Sequence, residues 1–150
     1  SISGSTSRYR RGGLDAPWTS AETLCEMDGV GIMRRTHLAV IQDEVERTRL
    51  FTTLGTNNLK NFWIGLSDRK TEGTMKWVTA EPIGVPQDGE DPPWAAGQPD
   101  NNSMQTGGQD CVRMIAPLST EQGLFDDVEC LANFDFVCEC DDYPAVLANF

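Results

Sequence analysis

The chain has 150 residues, a length typical of one domain, and its hydrophobic content of 39% excludes a disordered acidic tail. Its net charge of −11 is unevenly distributed, because eleven of the twelve Lys and Arg residues precede position 81 and only Arg113 follows it. The first eighty residues carry a net charge of +2 and the last seventy carry −13. This balance disfavours nucleic acid as a partner. Two interpretations stay open: a solvated acidic surface, or a site for a hard cation.

The five cysteines indicate disulfide bonds and an oxidising, extracellular compartment, since none forms a CxxC pair or a zinc-type spacing with histidine. An odd number leaves one thiol over, and Cys140, two residues past Cys138, is the candidate. No apolar run is long enough to span a bilayer, so no membrane insertion is expected. No signal peptide is found either, which fits a processed or trimmed chain that starts after any targeting segment.

The first half of the chain predicts a short strand and two helices. Residues 1–8 are small and polar and are expected to form a tail, with a strand beginning near Tyr9. A first helix is expected to end near Gly29, since Thr19 and Glu22 have capping-box spacing. Its inward face contains Trp18, Ala21 and Cys25.

A second helix is predicted from Gln42 to Leu54, with Gly55 ending it. Its inward residues are expected to be Val45, Leu50, Phe51 and Leu54.

The second half predicts strands around a long loop. The apolar run 62–66 and the alternating segment 74–79 are expected to pair, and further strands are predicted at 110–116, 124–128 and 134–139. Between them, residues 80–108 contain five prolines and no periodic segment, which is typical of a functional or disordered loop. Helices followed by strands define an α+β fold.

Several motifs, in order and spacing, resemble the C-type lectin domain over residues 9–140. They are Trp18 with Ala21 and Cys25, the run Trp63-Ile64-Gly65-Leu66, Trp77, Trp94 before Gly97-Gln98-Pro99-Asp100, Asp110-Cys111-Val112, Phe125-Asp126-Asp127 before Cys130, and Phe136-Val137-Cys138-Glu139. The resemblance implies two helices, two small antiparallel sheets and a long calcium-binding loop. Residues 141–150 would then be a C-terminal tail.

The resemblance also implies which cysteines pair. Cys25 would join Cys138, and Cys111 would join Cys130. Closing a loop of about 110 residues removes on the order of 4 to 5 kcal/mol of denatured-chain entropy. The cysteine pair of the family's longer variants is missing, so the chain resembles the short form.

By the same resemblance, five side chains would coordinate one calcium ion, and that ion would hold a sugar. These ligands are Gln98, Asp100, Gln109, Asp126 and Asp127. In the family, two sugar hydroxyls coordinate the ion directly, and a cis peptide before Pro99 turns the flanking side chains toward it. The Gln-Pro-Asp order resembles galactose-type members. Two positions depart from the family pattern, with Gln109 in place of Glu and Asp126 in place of Asn. Three carboxylates remain, but the map of hydrogen-bond donors and acceptors changes, and Gln98, Asp100, Gln109 and Asp126 are the expected sugar contacts.

A second, auxiliary calcium site is suggested by Asp68, Glu72, Asn101 and Asp110, which some members of the family use. The alternative is an ordinary acidic hairpin turn. Likewise, residues 98–101 can be read as a polar turn, and Asp126 and Asp127 as surface acids. The tryptophans at 63, 77 and 94 are expected to be core or loop anchors rather than sugar contacts.

An enzyme is disfavoured. The single histidine, His37, precedes an apolar run and is interpreted as structural, and Cys140 has no histidine nearby in sequence. Asp126 and Asp127 are strand neighbours that point to opposite faces, which does not suit a glycosidase pair. The main rival is a lectin-like module that binds a protein, lipid or surface instead of a sugar.

Overall fold

The computed structural model describes residues 7–30, 34–54, 60–80, 93–102, 108–115, 120–141 and 143–150. In chain order, these residues form β1 (Arg8–Arg11), α1 (Trp18–Val30), β2 (Arg35–Leu38), α2 (Glu44–Leu54), β3 (Phe62–Ser67), β4 (Lys76–Trp77), β5 (Cys111–Met114), β6 (Phe125–Val128), β7 (Asp135–Asp141) and a short 3-10 helix (Leu147–Asn149). The α+β order is therefore confirmed. Outside the described residues lie Gly55, Ala116, the side chain of Phe51, and segments 81–92 and 103–107 of the predicted loop.

The strands form one mixed sheet in the order β1-β7-β3-β5-β6, with β2 also paired to β7 and β4 to β3. All these pairings are antiparallel except that of β3 with β7, which is parallel. Two small antiparallel groups are thus present, as expected, but the parallel pairing joins them. A bridge between Trp94 and Phe125 places β6 beside the loop that carries Gln98 and Asp100.

Strand β3 forms the centre of the core, and all six of its residues are buried. A side chain at Gly65 would lie 2.7 Å from the carbonyl oxygen of Leu38, so only glycine lets β2 approach this closely. The Gly65 amide donates to the Ala39 carbonyl, and the Gly65 carbonyl accepts from the Val78 amide. Gly65 therefore holds the segment after β2 and the segment after β4 on the same strand.

Helix α1 packs on the core through one face, which contains Trp18, Ala21, Cys25 and Gly29. The predicted capping box is wrong. Thr19 lies inside the helix, and the Glu22 carboxylate accepts the backbone N–H of Leu38 at 2.8 Å. Burial raises the pKa of Glu22 to about 7. Glu22 therefore connects α1 to β2.

Helix α2 begins two residues later than predicted because Asp43 caps it. The Asp43 carboxylate accepts the Glu46 amide, and the Glu46 carboxylate accepts the Gln42 amide, each at 2.8 Å. Leu50 is buried as expected, but Val45 is 62% exposed, so its inward assignment is wrong.

The disulfides Cys25–Cys138 and Cys111–Cys130 are both present, and Cys140 is the free cysteine. The first bond spans 113 residues and fastens α1 to β7. The second spans 19 residues and ties the start of β5 to the turn after β6. Both implied pairings are therefore confirmed.

Asp141 and residues 143–150 contact the strands of the core. Asp141 belongs to β7, and the Val146 amide donates to the Val78 carbonyl at 2.7 Å. The Asn149 side-chain amide donates to the carbonyls of Trp77 and Thr79 at 3.0 and 2.7 Å. This segment therefore donates hydrogen bonds to the carbonyls of Trp77, Val78 and Thr79. Sequence periodicity does not reveal these contacts.

Candidate functional site

The loop that carries the predicted ligands is anchored on β6 by Trp94. The amide of Ala95 donates to the Phe125 carbonyl at 2.8 Å, and the Phe125 amide donates to Pro93 at 2.7 Å. The Trp94 ring meets the Phe125 ring edge-on at 6.2 Å. Trp94 is thus a loop anchor, while the tryptophans at 63 and 77 lie in the core, as expected.

Asp127 organises the turn that follows Trp94. Its two carboxylate oxygens accept the backbone amides of Asp100 at 3.0 Å and Asn101 at 2.8 Å. The Gln98–Pro99 peptide bond is cis, and Gln98 Oε1 also accepts the Asp100 amide, at 3.1 Å. Burial raises the pKa of Asp127, the backbone hydrogen bonds lower it, and the nearby Asp100 charge raises it; the net shift is upward. Gln98, Asp100 and Asp127 therefore meet in one hydrogen-bonded unit.

Asp126 is engaged differently from the other predicted ligands. It lies opposite Arg113 in the register of β5 and β6, whereas Asp127 lies opposite Val112. Arg113 Nε and Nη2 donate to Asp126 Oδ2 at 2.8 and 2.6 Å. One of the three carboxylates expected as ligands is therefore paired with an arginine in this structure.

The predicted auxiliary residues lie around Gly108. The Asn101 side-chain amide donates to Glu72 at 2.8 Å, and its oxygen accepts the Gln109 amide at 2.7 Å. The Asp68 amide donates to the Asp110 carbonyl at 3.1 Å. A side chain at Gly108 would lie 2.6 Å from the Asn101 side-chain oxygen and 2.7 Å from an Asp110 carboxylate oxygen. These two oxygens thus approach each other across a space that only glycine leaves open.

Among the described residues, three side-chain oxygens from this part of the chain are buried without a hydrogen-bond partner: Asp68 Oδ1, Gln109 Oε1 and Asp110 Oδ1. Burial raises the pKa of Asp110, and the charges of Asp68 and Glu72 raise it further. Unpaired buried acceptors are costly, and carboxylate and amide oxygens are the ligands that calcium prefers. The oxygen ligands that these residues offer therefore fit calcium.

The candidate calcium site around Gly108 does not consist of acidic side chains alone. Within the described part of the chain, no group of three or more His, Cys, Asp or Glu side chains is arranged to hold a metal ion. The set around Gly108 combines acids with the amides of Asn101 and Gln109. The Gln109 backbone amide donates to the Asn101 side chain, and among the described residues the Gln109 side-chain oxygen has no hydrogen-bond partner.

His37 has a structural environment and is fully buried. Its Nδ1 lies 2.8 Å from the Leu38 carbonyl and its Nε2 lies 3.0 Å from the Asp141 carboxylate. Burial lowers the pKa of His37, but the hydrogen bonds to Asp141 and Leu38 raise it more, to about 9. Both ring nitrogens face acceptors, which suits a protonated ring that joins β2 to the end of β7.

Two features of the site were missed by sequence reasoning. Arg113 was noted only as the last basic residue, although its isolation in an acidic half was a usable signal. Gly108 carried no signal of its own, because its role depends on the convergence of Asn101 and Asp110 from two sides of the loop.

Comparison with known proteins identifies the family. Residues 15–140 match the Lectin C-type domain family, and the chain therefore belongs to it. It is 30% identical over 124 residues to C-type lectin domain family 4 member F of Mus musculus, which covers 82% of this chain and 19% of that protein. It is also 30% identical over 135 residues to the alpha-N-acetylgalactosamine-specific lectin of Patiria pectinifera, covering 87% of this chain and 72% of that protein.

Solved structures agree on the fold. The trimeric Kupffer cell C-type lectin receptor Clec4f superposes with a TM-score of 0.69 at 28% identity, covering 90% of this chain and 78% of that one. The family consists of lectins, which generally are not enzymes and whose domains generally bind calcium. None of the helices in the described residues is both long and apolar enough to cross a membrane.

Proposed function

We propose that this chain is an extracellular, calcium-dependent carbohydrate-binding domain of galactose-type preference. The observation that carries the proposal is the convergence of the 98–102 turn, β6 and the Gly108 segment. There, one buried carboxylate, Asp127, fixes the turn, and buried oxygens of Asp68, Gln109 and Asp110 have no hydrogen-bond partner in the described part of the chain. Such oxygens are stabilised when a cation is bound.

The residues divide into two proposed sets. Gln98, Asp100, Gln109 and Asp127 would hold the ion at the sugar position, with Asp126 beside them. The auxiliary ion would be held by Asp68, Glu72, Asn101 and Asp110. Calcium, when bound, supplies coordination positions that two neighbouring sugar hydroxyls can fill. The chain's own task is to orient its oxygens, and the two backbone amides on Asp127 do this for the turn.

The sugar preference follows from the donor and acceptor map. Carboxylates accept from hydroxyls, whereas the amides of Gln98 and Gln109 can also donate to them. The Gln98-Pro99-Asp100 order resembles galactose-type members, and one relative is named for specificity to α-N-acetylgalactosamine. We therefore place galactose and N-acetylgalactosamine first among the candidate ligands. An exposed glycoconjugate suits the secreted location that the two disulfides favour.

A glycan array probed with excess calcium and again with a chelator tests this proposal. Binding to galactose-terminated or N-acetylgalactosamine-terminated glycans that the chelator abolishes would support it. Asp127→Ala is the site-directed negative variant, and Asp28→Ala, which alters a surface pair with Arg10 outside the site, is the matched control.

A lectin-like module that binds a protein ligand is the second candidate. The Arg113–Asp126 pair favours it, because a carboxylate already held by arginine is less available to an ion. Calcium binding without any glycan response on the array would favour this candidate over the first.

A further inference from the structure

Arg113 is the only basic residue after position 80, and it lies on β5 opposite Asp126 of β6. Its side chain is 22% exposed, and that of its partner Asp126 is 12% exposed. Two nitrogens of its guanidinium donate to one oxygen of that carboxylate. Pairs of this kind are stronger than ordinary surface ion pairs, because both groups are partly removed from water.

The position of Arg113 is fixed from a second side. Its guanidinium lies 4.7 Å above the ring of Phe134, and that ring packs edge-on against Trp63 at 4.9 Å. Trp63 is fully buried, and its indole N–H donates to the Ala16 carbonyl at 2.8 Å. The charge of Arg113 is therefore held in place by the core rather than free to move into solvent.

This pair changes the charge of the proposed ligand set. Asp100, Asp126 and Asp127 would present three negative charges, but Arg113 compensates one of them, which leaves a net charge of −2. Calcium affinity depends on the charge count of the ligands and on the rigidity of the site. A fixed positive charge next to one ligand must weaken the attraction for a divalent cation.

From this geometry we infer that Arg113 sets the calcium affinity of the sugar site by withdrawing Asp126 from the ion. This inference rests on the proposed function. Asp126 acts as the partner of Arg113, and the ion is held by the amides and by Asp100 and Asp127. The site is thereby tuned to weaker calcium binding than three free carboxylates would give, so that sugar is released when calcium falls only moderately.

Two substitutions separate the charge of Arg113 from its packing. Arg113→Met keeps an unbranched apolar stem over Phe134 and removes the charge. Arg113→Lys keeps the charge and loses the two-nitrogen contact. Both are made in an Asp68→Asn background, which weakens the auxiliary set so that the sugar site dominates the calcium titration.

Calcium affinity is measured by isothermal titration, and stability by urea unfolding in chelator. We expect Arg113→Met to bind calcium on the order of tenfold more tightly, because Asp126 is freed. The calcium affinity of Arg113→Lys should stay within about threefold of the parent affinity. Its stability in chelator should fall by about as much as that of Arg113→Met. Unchanged or weaker calcium binding in Arg113→Met would overturn the inference. Should Arg113→Met unfold in chelator, Arg113→Gln replaces it with the same expectation.

The proposed function fails separately from this inference. It fails if the parent chain binds no glycan with calcium present. A parent that binds glycan with calcium, together with an Arg113→Met variant of equal affinity, refutes only the role of Arg113. A gain of calcium affinity in Arg113→Met supports that role in either case.

Discussion

Asp127 is the residue on which the turn 98–102 depends, and Asp127→Asn is the sharpest perturbation of it. The side chain is almost fully buried and accepts two backbone amides, one on each oxygen. Asparagine has the same shape but only one acceptor, so one amide would keep its partner and the other would face an NH₂ group. The variant therefore tests charge and hydrogen bonding without creating a cavity.

The magnitude follows from these contacts. A hydrogen bond to a charged group contributes about 1.5 to 3 kcal/mol, and an unsatisfied buried donor has a similar cost. We expect the free energy of unfolding in chelator to fall by about 2 kcal/mol. Calcium affinity should fall at least tenfold, about 1.4 kcal/mol, because a proposed ligand loses its charge.

Urea unfolding and calcium titration of the same samples measure both effects. Asp100→Asn is the control for stability, because Asp100 is exposed and its carboxylate accepts only a local amide, that of Asn102. We expect this control to change the free energy of unfolding by less than about 0.5 kcal/mol. An Asp127→Asn variant that unfolds with the same free energy as the parent would contradict this prediction, because it would show that the carboxylate does not fix the turn.

Three further predictions concern the rest of the fold. Gly108→Ala should reduce the calcium-dependent rise in melting temperature, because its methyl group would collide with two proposed ligand oxygens. Gly97→Ala is the control, since Gly97 has a similar positive φ but no atom within 4 Å of the added methyl group. An equal loss in Gly97→Ala would contradict the prediction. Asn149→Ala should cost about 1 to 3 kcal/mol in urea unfolding, because it removes the hydrogen bonds that the Asn149 amide donates to two carbonyls. An unchanged midpoint would argue against it. Burial raises the pKa values of Glu22 and Glu139 from 4.5 to about 7, so the folded state binds protons more readily than the unfolded state. In chelator, stability should fall as pH rises from about 4.5 to 7, by up to about 1.4 kcal/mol per pH unit for each group, and a rise over that window would contradict the assignment.

The fold was largely predictable from the sequence because its strongest signals are local. The apolar run at 62–66 and the buried face of α1 each follow one periodicity, and both elements appear where that periodicity places them. Errors arose where a side chain bonds outside its own element. Glu22 looked like a helix cap, but it binds the Leu38 amide across the core, and no spacing within α1 reveals that.

The candidate residues of the site could be named from the sequence, but the pairing of Asp126 could not. The resemblance named Asp126 and Asp127 together as ligands, and the structure gives them different partners. The partner of Asp126 could not be read from the sequence, because Arg113 comes from another strand whose register depends on the complete sheet. The contacts of residues 143–150 with β4 and Val78 could not be predicted from the sequence either, because they join residues more than sixty positions apart.

The central claim is tested most directly by passing the chain over immobilised N-acetylgalactosamine in excess calcium and then adding a chelator. We expect retention in calcium, release by the chelator, and loss of retention in Asp127→Ala. Passage of the folded, calcium-saturated chain without retention on this sugar or on galactose would contradict it.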